Sequence, residues 1–148
     1  MMTNKELLER YPFLRPLNLW TSKFEEGYEY TYLDDMPQGW VKAFGLQMCE
    51  EIREELIRCN YLDQYQVIQV KEKYGFLHWY DDGIPEGCKV NDIVSKYEAI
   101  SERTCIICGQ PATLISKGWV SPFCDCVKST EHYREDWYMP IEEFYKER

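Results

Sequence analysis

Four cysteines crowded into residues 105–126 constrain this chain more than any other feature: Cys105-Ile106-Ile107-Cys108-Gly109 and Cys124-Asp125-Cys126. A C-x-x-C turn sets two thiolates to chelate one ion. The Gly behind it permits the tight turn that carries backbone N–H groups toward the sulfurs. Fifteen residues separate the two pairs, within the range of a zinc ribbon. Residues 113–116 and 119–121, with Lys117-Gly118 between them, read as a hairpin that returns the chain to the second pair. Four thiolates close the coordination sphere of Zn2+, so Cys105, Cys108, Cys124 and Cys126 are expected to form a structural site, not a catalytic one. The second pair is C-x-C, whose bite is tighter, and this leaves two other assignments open. His132 could be the fourth ligand with Cys126 outside the sphere, or the C-x-x-C could be a metal-free redox pair. The redox assignment fits poorly, because thioredoxin-like motifs sit where a strand enters a helix.

A disulfide scaffold is not the expected use of these thiols. Such scaffolds are short and spread their cysteines evenly, whereas this chain has seven, an odd number, with Cys49, Cys59 and Cys88 scattered. Cys49 and Cys59 lie on or near an apolar helix face and should pack as small hydrophobes. Cys88 follows Gly87 in a turn and is expected to be exposed. No apolar run approaches the ~20 residues that span a bilayer, and residues 1–6 lack the apolar core of a signal peptide. The expectation is a cytoplasmic protein with no membrane partner. The length of 148 residues suits one domain or one domain plus a small module. An aromatic content of 16% excludes disorder. A net charge of −9 argues against non-specific binding to DNA, RNA or anionic lipid.

Periodicity outlines the rest. Thr3 and Glu6 form a capping box for a helix ended by Pro12. Tyr28, Tyr30 and Tyr32 alternate with polar residues and suggest a strand. Residues 37–59 form the clearest helix, capped by Asp34 or Asp35, with Val41, Phe44, Met48, Ile52, Leu56 and Cys59 on one face and a Glu54–Arg58 pair on the other. Residues 65–81 read as a β-hairpin bent at Lys73-Tyr74-Gly75. Residues 91–103 are helical, with Asn91 as cap and Ile93, Val94, Tyr97 and Ile100 inward. Pro140 opens a last short helix. The expected class is α+β: a small antiparallel sheet packed with amphipathic helices, with a C-terminal zinc-ribbon-like hairpin module. The parts are an α+β domain (residues 1–104), the module (105–128) and an aromatic tail (129–148) packed on the domain or a partner.

Nothing in the sequence matches an enzyme motif. There is no H-E-x-x-H, G-x-S-x-G or phosphate-binding loop, and His78 is followed by Trp79-Tyr80, not by the H-x-E of zinc deaminases. Asp81 and Asp82 read as turn formers. Lys71, Lys73, Tyr74, His78 and Trp79 concentrate basic and aromatic groups in one hairpin and are the candidate ligand-binding residues. Phe76, His78 and Tyr80 should share one face, and Leu77 and Trp79 the other.

The run from Lys71 to Tyr80, together with Ser101-Glu102-Arg103-Thr104-Cys105-Ile106-Ile107-Cys108-Gly109-Gln110-Pro111, Gly118-Trp119 and Cys124, resembles small uncharacterised zinc-ribbon-containing proteins of phages, prophages and bacteria. The resemblance covers about residues 39–126. In those relatives the last knuckle usually reads C-x-x-C or C-x-x-H; here Cys126 comes one position early and Val127 stands in the usual ligand slot. The resemblance implies a phage or mobile-element origin and a host cytoplasm, and it supplies no activity. The expectation is a non-enzymatic, zinc-stabilised protein that binds a host protein such as a defence factor, with inhibition one outcome. The alternatives are a pocket that sequesters a small nucleotide-like signal and a ribbon that binds nucleic acid. The last is disfavoured: residues 105–128 carry Lys117 and Lys128 against Asp125, and a four-thiolate zinc core would add about −2.

Overall fold

The computed structural model describes residues 2–146. Thr3 opens helix α1 (Asn4–Arg10) with the expected reciprocal cap: its hydroxyl accepts the Glu6 N–H, and the Glu6 carboxylate accepts the Thr3 N–H. A 3-10 turn, Pro12–Leu14, then drives Phe13 and Leu14 into the core. A two-residue ribbon, β1 (Leu17–Asn18) with β2 (Lys23–Phe24), follows. The strand expected from Tyr28, Tyr30 and Tyr32 does not form. Thr31 starts a second capping box instead, accepting the Leu33 N–H while Asp34 accepts the Thr31 N–H at 2.8 Å. That local competition bends the chain into a 3-10 turn, Tyr32–Asp35. Asp34 is thereby spent on this turn and does not cap the long helix, whose first turn is preceded by Pro37 with no side-chain cap.

The long helix runs in three joined pieces: α2 (Gln38–Trp40), a wide π turn (Val41–Gly45) and α3 (Leu46–Arg58). Trp40, Phe44, Met48, Ile52 and Leu56 are all buried. A strict spacing of four drifts around an α-helix of ~3.6 residues per turn, and the wider turn offsets that drift. The expected Glu54–Arg58 pair is replaced by a two-bond pair between Arg58 and Glu55, both at 2.6 Å. Glu55 is held there because it also accepts the Lys89 N–H at 2.5 Å. Helix α4 (Val90–Ser101) is therefore capped from a neighbouring helix, and Asn91, the expected cap, sits exposed in its first turn. Val90, Val94, Tyr97 and Ser101 face inward, whereas Ile100 is 41% exposed. Ser101 takes the inward position because its hydroxyl accepts the buried Leu77 N–H at 2.8 Å.

The hairpin forms as expected, β3 (Val67–Lys73) against β4 (Phe76–Asp81), with Lys73 opposite Phe76 and Lys71 opposite His78. Tyr74 and Gly75 turn the corner at φ of 58° and 87°, the double left-handed geometry that matches strand twist. Leu77 and Trp79 are buried, and Tyr80 is exposed. Beyond α4 lies a second sheet in the order β6-β5-β7, from β5 (Leu114–Ser116), β6 (Pro122–Phe123) and β7 (Tyr138–Pro140). The tail thus returns to pair with the cysteine hairpin, and α5 (Ile141–Lys146) follows Pro140 with Ile141 buried. The architecture is α+β, and among the described residues no helix is long and apolar enough to cross a membrane.

Two tests follow from this packing. Trp79 is 6% exposed and its indole N–H donates to the Tyr65 hydroxyl at 3.1 Å. Trp79→Ala should cost about 3–5 kcal/mol in denaturant unfolding. Glu50 is held down to about 2 by hydrogen bonds first from Arg10, then from Tyr11. Its folded pKa is depressed, so its contribution is complete above the ordinary carboxylate value and is lost as pH falls toward 2. Melting temperature should fall more steeply on acidification below about pH 4.5 in wild type than in Glu50→Gln.

Candidate metal centre and the adjoining cleft

The first knuckle is built by backbone bonds. The Cys105 N–H donates to the Gln110 carbonyl at 2.9 Å, and the Gly109 N–H to the Cys105 carbonyl at 3.1 Å. Gly109 sits at φ +84°, the left-handed value that closes the turn. The Ile107 N–H points at the Cys105 sulfur and the Cys126 N–H at the Cys124 sulfur, each at 3.4 Å. The hairpin β5–β6 then delivers the second pair, and the Ile106 N–H bonds the Pro122 carbonyl at 3.1 Å to tie knuckle to strand. The four Sγ atoms converge, each within 4.8 Å of the others. Cys105–Cys126 are 3.6 Å apart and Cys108–Cys124 are 3.3 Å apart. The group could hold a metal ion. Cys126 belongs to it despite the C-x-C spacing: it lies in the first turn of a 3-10 helix (Asp125–Ser129) whose cap is Cys124. His132 is exposed and outside the cluster.

The sulfurs titrate unequally. The Gln110 N–H, and then the Cys124 thiol, bring Cys108 down to about 7. Burial pushes Cys124 and Cys126 up. Four thiols this close cannot all ionise alone, and a cation among them reverses that balance.

The knuckle's position is set by α2. Gly39 donates its N–H to the Ile106 carbonyl at 2.9 Å. A Cβ at Gly39 would stand 2.2 Å from the Cys105 carbonyl oxygen and 2.8 Å from the Gly109 nitrogen. Next to it, the fully buried Trp40 donates its indole N–H to the Thr104 carbonyl at 2.9 Å.

The candidate ligand-binding residues do not gather in one place. Trp79 is in the core. Lys71 and His78 lie on the outer hairpin face, where the His78 ring stacks between Phe76 and Tyr80 and its Nε2–H donates to the Lys73 carbonyl at 2.9 Å. Lys73 and Tyr74 are at the turn, and these two face the β5–β6 loop. With Gly118, Trp119 and Val120 of the β5–β6 loop they line a cleft of about 200 Å³. Trp119 is 81% and Tyr74 64% exposed. The two loops are joined beneath the cleft, where the Ser121 hydroxyl donates to the Glu72 carboxylate. Asp81, the first of the paired acids, accepts the Tyr65 hydroxyl at 2.7 Å and the Gly83 N–H at 2.9 Å, as a turn former does.

Two features escaped the sequence reading. The role of Gly39 carried no local signal, although a glycine inside a helix ordinarily costs ~1 kcal/mol and so asks for a reason. Cys88 is half-buried, not exposed, with its sulfur 2.7 Å from that of Cys59; no sequence spacing announces a pair 29 residues apart. No family model matches the chain, and no curated protein or solved structure is detectably similar to it.

Gly39→Ala should destabilise the folded protein by about 1–3 kcal/mol, because the obstructing atoms are backbone and cannot rotate away. Denaturant unfolding with metal present would measure it, and bound metal should be lost at a lower chelator concentration than in wild type.

Proposed function

We propose that this is a non-enzymatic, zinc-stabilised binding protein, and that the cleft between the β3–β4 turn and the β5–β6 loop anchors a side chain of a protein partner. Donor chemistry supports zinc. Soft thiolates suit Zn2+, and tetrahedral Zn–S bonds of ~2.3 Å imply sulfur–sulfur edges of roughly 3.8 Å, close to the two separations above. Four sulfurs leave no position for substrate water, so the ion's part is to hold the fold.

The observation that carries the binding reading is the cleft: two exposed aromatic rings, Tyr74 and Trp119, beside an apolar hollow of about 200 Å³. That volume lies below the ~300–1,000 Å³ usual for small-molecule and cofactor pockets. It suits one apolar or aromatic anchor from a partner surface, ringed by residues that exclude water. A second exposed set, with Trp20 at 97% and Phe24 at 51%, adds contact area elsewhere. The net charge of −9 disfavours a nucleic acid and favours a basic protein. The resemblance to phage and prophage chains makes a host protein, such as a defence factor, the partner class.

The test uses immobilised wild type, Trp119→Ala and Cys108→Ser against bacterial host lysate, with native mass spectrometry of each protein. Cys108→Ser should lose its zinc and melt lower. Trp119→Ala should keep both zinc and melting temperature, since it removes an exposed side chain. It should bind the captured protein about 30-fold more weakly, as a hot-spot loss of ~2 kcal/mol requires. A bound adduct of nucleotide mass in place of a captured protein would overturn the protein-partner reading, as would retention on heparin that falls steeply with salt.

A further inference from the structure

We propose that Cys59 and Cys88 are a disulfide-forming pair, a covalent clasp between the end of α3 and the turn before α4 that is separate from the four-cysteine centre. Their sulfurs are 2.7 Å apart, closer than the 3.3 and 3.6 Å separations inside the four-cysteine cluster. That leaves only about 0.7 Å to the ~2.05 Å of an S–S bond. The surrounding backbone is already in place. The Arg58 guanidinium donates to the Gly87 carbonyl at 3.0 Å, and the Lys89 N–H donates to Glu55 at 2.5 Å. The residues on both sides of Cys88 are therefore fastened to the last turn of α3, which keeps the two sulfurs side by side. Both cysteines are half-buried, within reach of a small oxidant.

A metal is the competing use of these thiols, since the Glu55 carboxylate lies beside them. Both Glu55 oxygens are already taken, Oε1 by Arg58 and Oε2 by Arg58 and the Lys89 N–H. Coordination would break a two-bond ion pair and the cap of α4, and it would leave a site with two thiolates. Oxidation leaves Glu55 undisturbed.

The oxidant is a low-molecular-weight disulfide such as oxidised glutathione. One cysteine, as thiolate, attacks a glutathione sulfur; a protein–glutathione bond forms, and one glutathione thiolate leaves and takes up the proton. The second cysteine then attacks the protein-side sulfur, forming the Cys59–Cys88 bond and expelling the second glutathione as a thiol. Two protein thiols are oxidised, and one glutathione disulfide is reduced to two thiols.

The zinc-loaded full chain is treated with oxidised glutathione, alkylated, and mapped without reduction. The expected result is a cross-linked peptide pair containing Cys59 and Cys88, with one metal retained. Oxidation should also raise the melting temperature by about 7–14 °C, as closing a loop of this length predicts. Cys59→Ser and Cys88→Ser, as separate variants, should each abolish both effects while melting like reduced wild type. Mapping of wild type alone decides the question if one variant folds poorly. Full alkylation of both cysteines after oxidation, or a second equivalent of metal that Cys88→Ser removes, would overturn the proposal.

Discussion

The close approach of Gly39 to the first cysteine knuckle is the contact on which the rest of the structure depends. Backbone meets backbone with no side chain between them: the Gly39 N–H reaches the Ile106 carbonyl, and a Cβ there would collide with Cys105. Trp40, the next residue, fills the core and turns its one polar atom to the Thr104 carbonyl, so burying the indole leaves no donor unpaired. One turn of helix thereby fixes where the knuckle sits and ties the ribbon to the main core. Such a contact tolerates little slack, because neither partner has a rotamer with which to yield.

The tail depends on that placement in turn. β5 lies between β6 and β7, and the tail joins it through backbone bonds, including the Lys117 N–H to the Trp137 carbonyl and the Ile141 N–H to the Thr113 carbonyl, both under 3 Å. Its ion pair, Arg103 with Glu142, is exposed on both sides and contributes little. Pairing, the buried Ile141 and the edge-on contact of Tyr138 with Phe123 hold it instead. Edge strands of two and three residues leave little unpaired backbone for another chain to extend.

What was legible in the sequence was whatever local chemistry decides. The hairpin follows from β-formers on either side of Tyr74-Gly75, and its inner face from simple alternation through Leu77 and Trp79. The cysteine spacing pointed to a cluster that the fold then assembles. The misses have two causes: a distant residue outbids a local rule, or one local rule outbids another. Asn91 is a good cap by type, yet Glu55 of another helix takes the work, and in doing so draws Arg58 away from Glu54. Tyr28, Tyr30 and Tyr32 alternate like a strand, but no neighbouring strand receives them, and Thr31 with Asp34 offers the backbone a nearer set of bonds. Lys71, Lys73, Tyr74, His78 and Trp79 are neighbours in sequence, and the pleat sends Trp79 inward. The wall that faces Lys73 and Tyr74 comes from residues 118–120, which no spacing linked to them.

The cleft joins two parts that are stabilised by different physics. Its first wall, the β3–β4 turn, stands on buried Leu77 and Trp79 and on the bond from Trp79 to Tyr65. Hydrophobic burial sets it whether or not an ion is bound. Its second wall is the loop of a small hairpin with three-residue β5 and two-residue β6, too short to stand alone. On the proposed zinc reading, an ion whose binding is worth on the order of 10 kcal/mol makes that wall permanent. Affinity for a partner scales with the fraction of molecules in the competent state, so such an ion would act on binding without touching the partner. It would turn Trp119 from a side chain on a fluctuating loop into one held opposite Tyr74. Rigid aromatic anchors lose little entropy on association, which on that reading is a physical reason for a small acidic chain to carry a metal centre in the same hairpin module as the exposed Trp119.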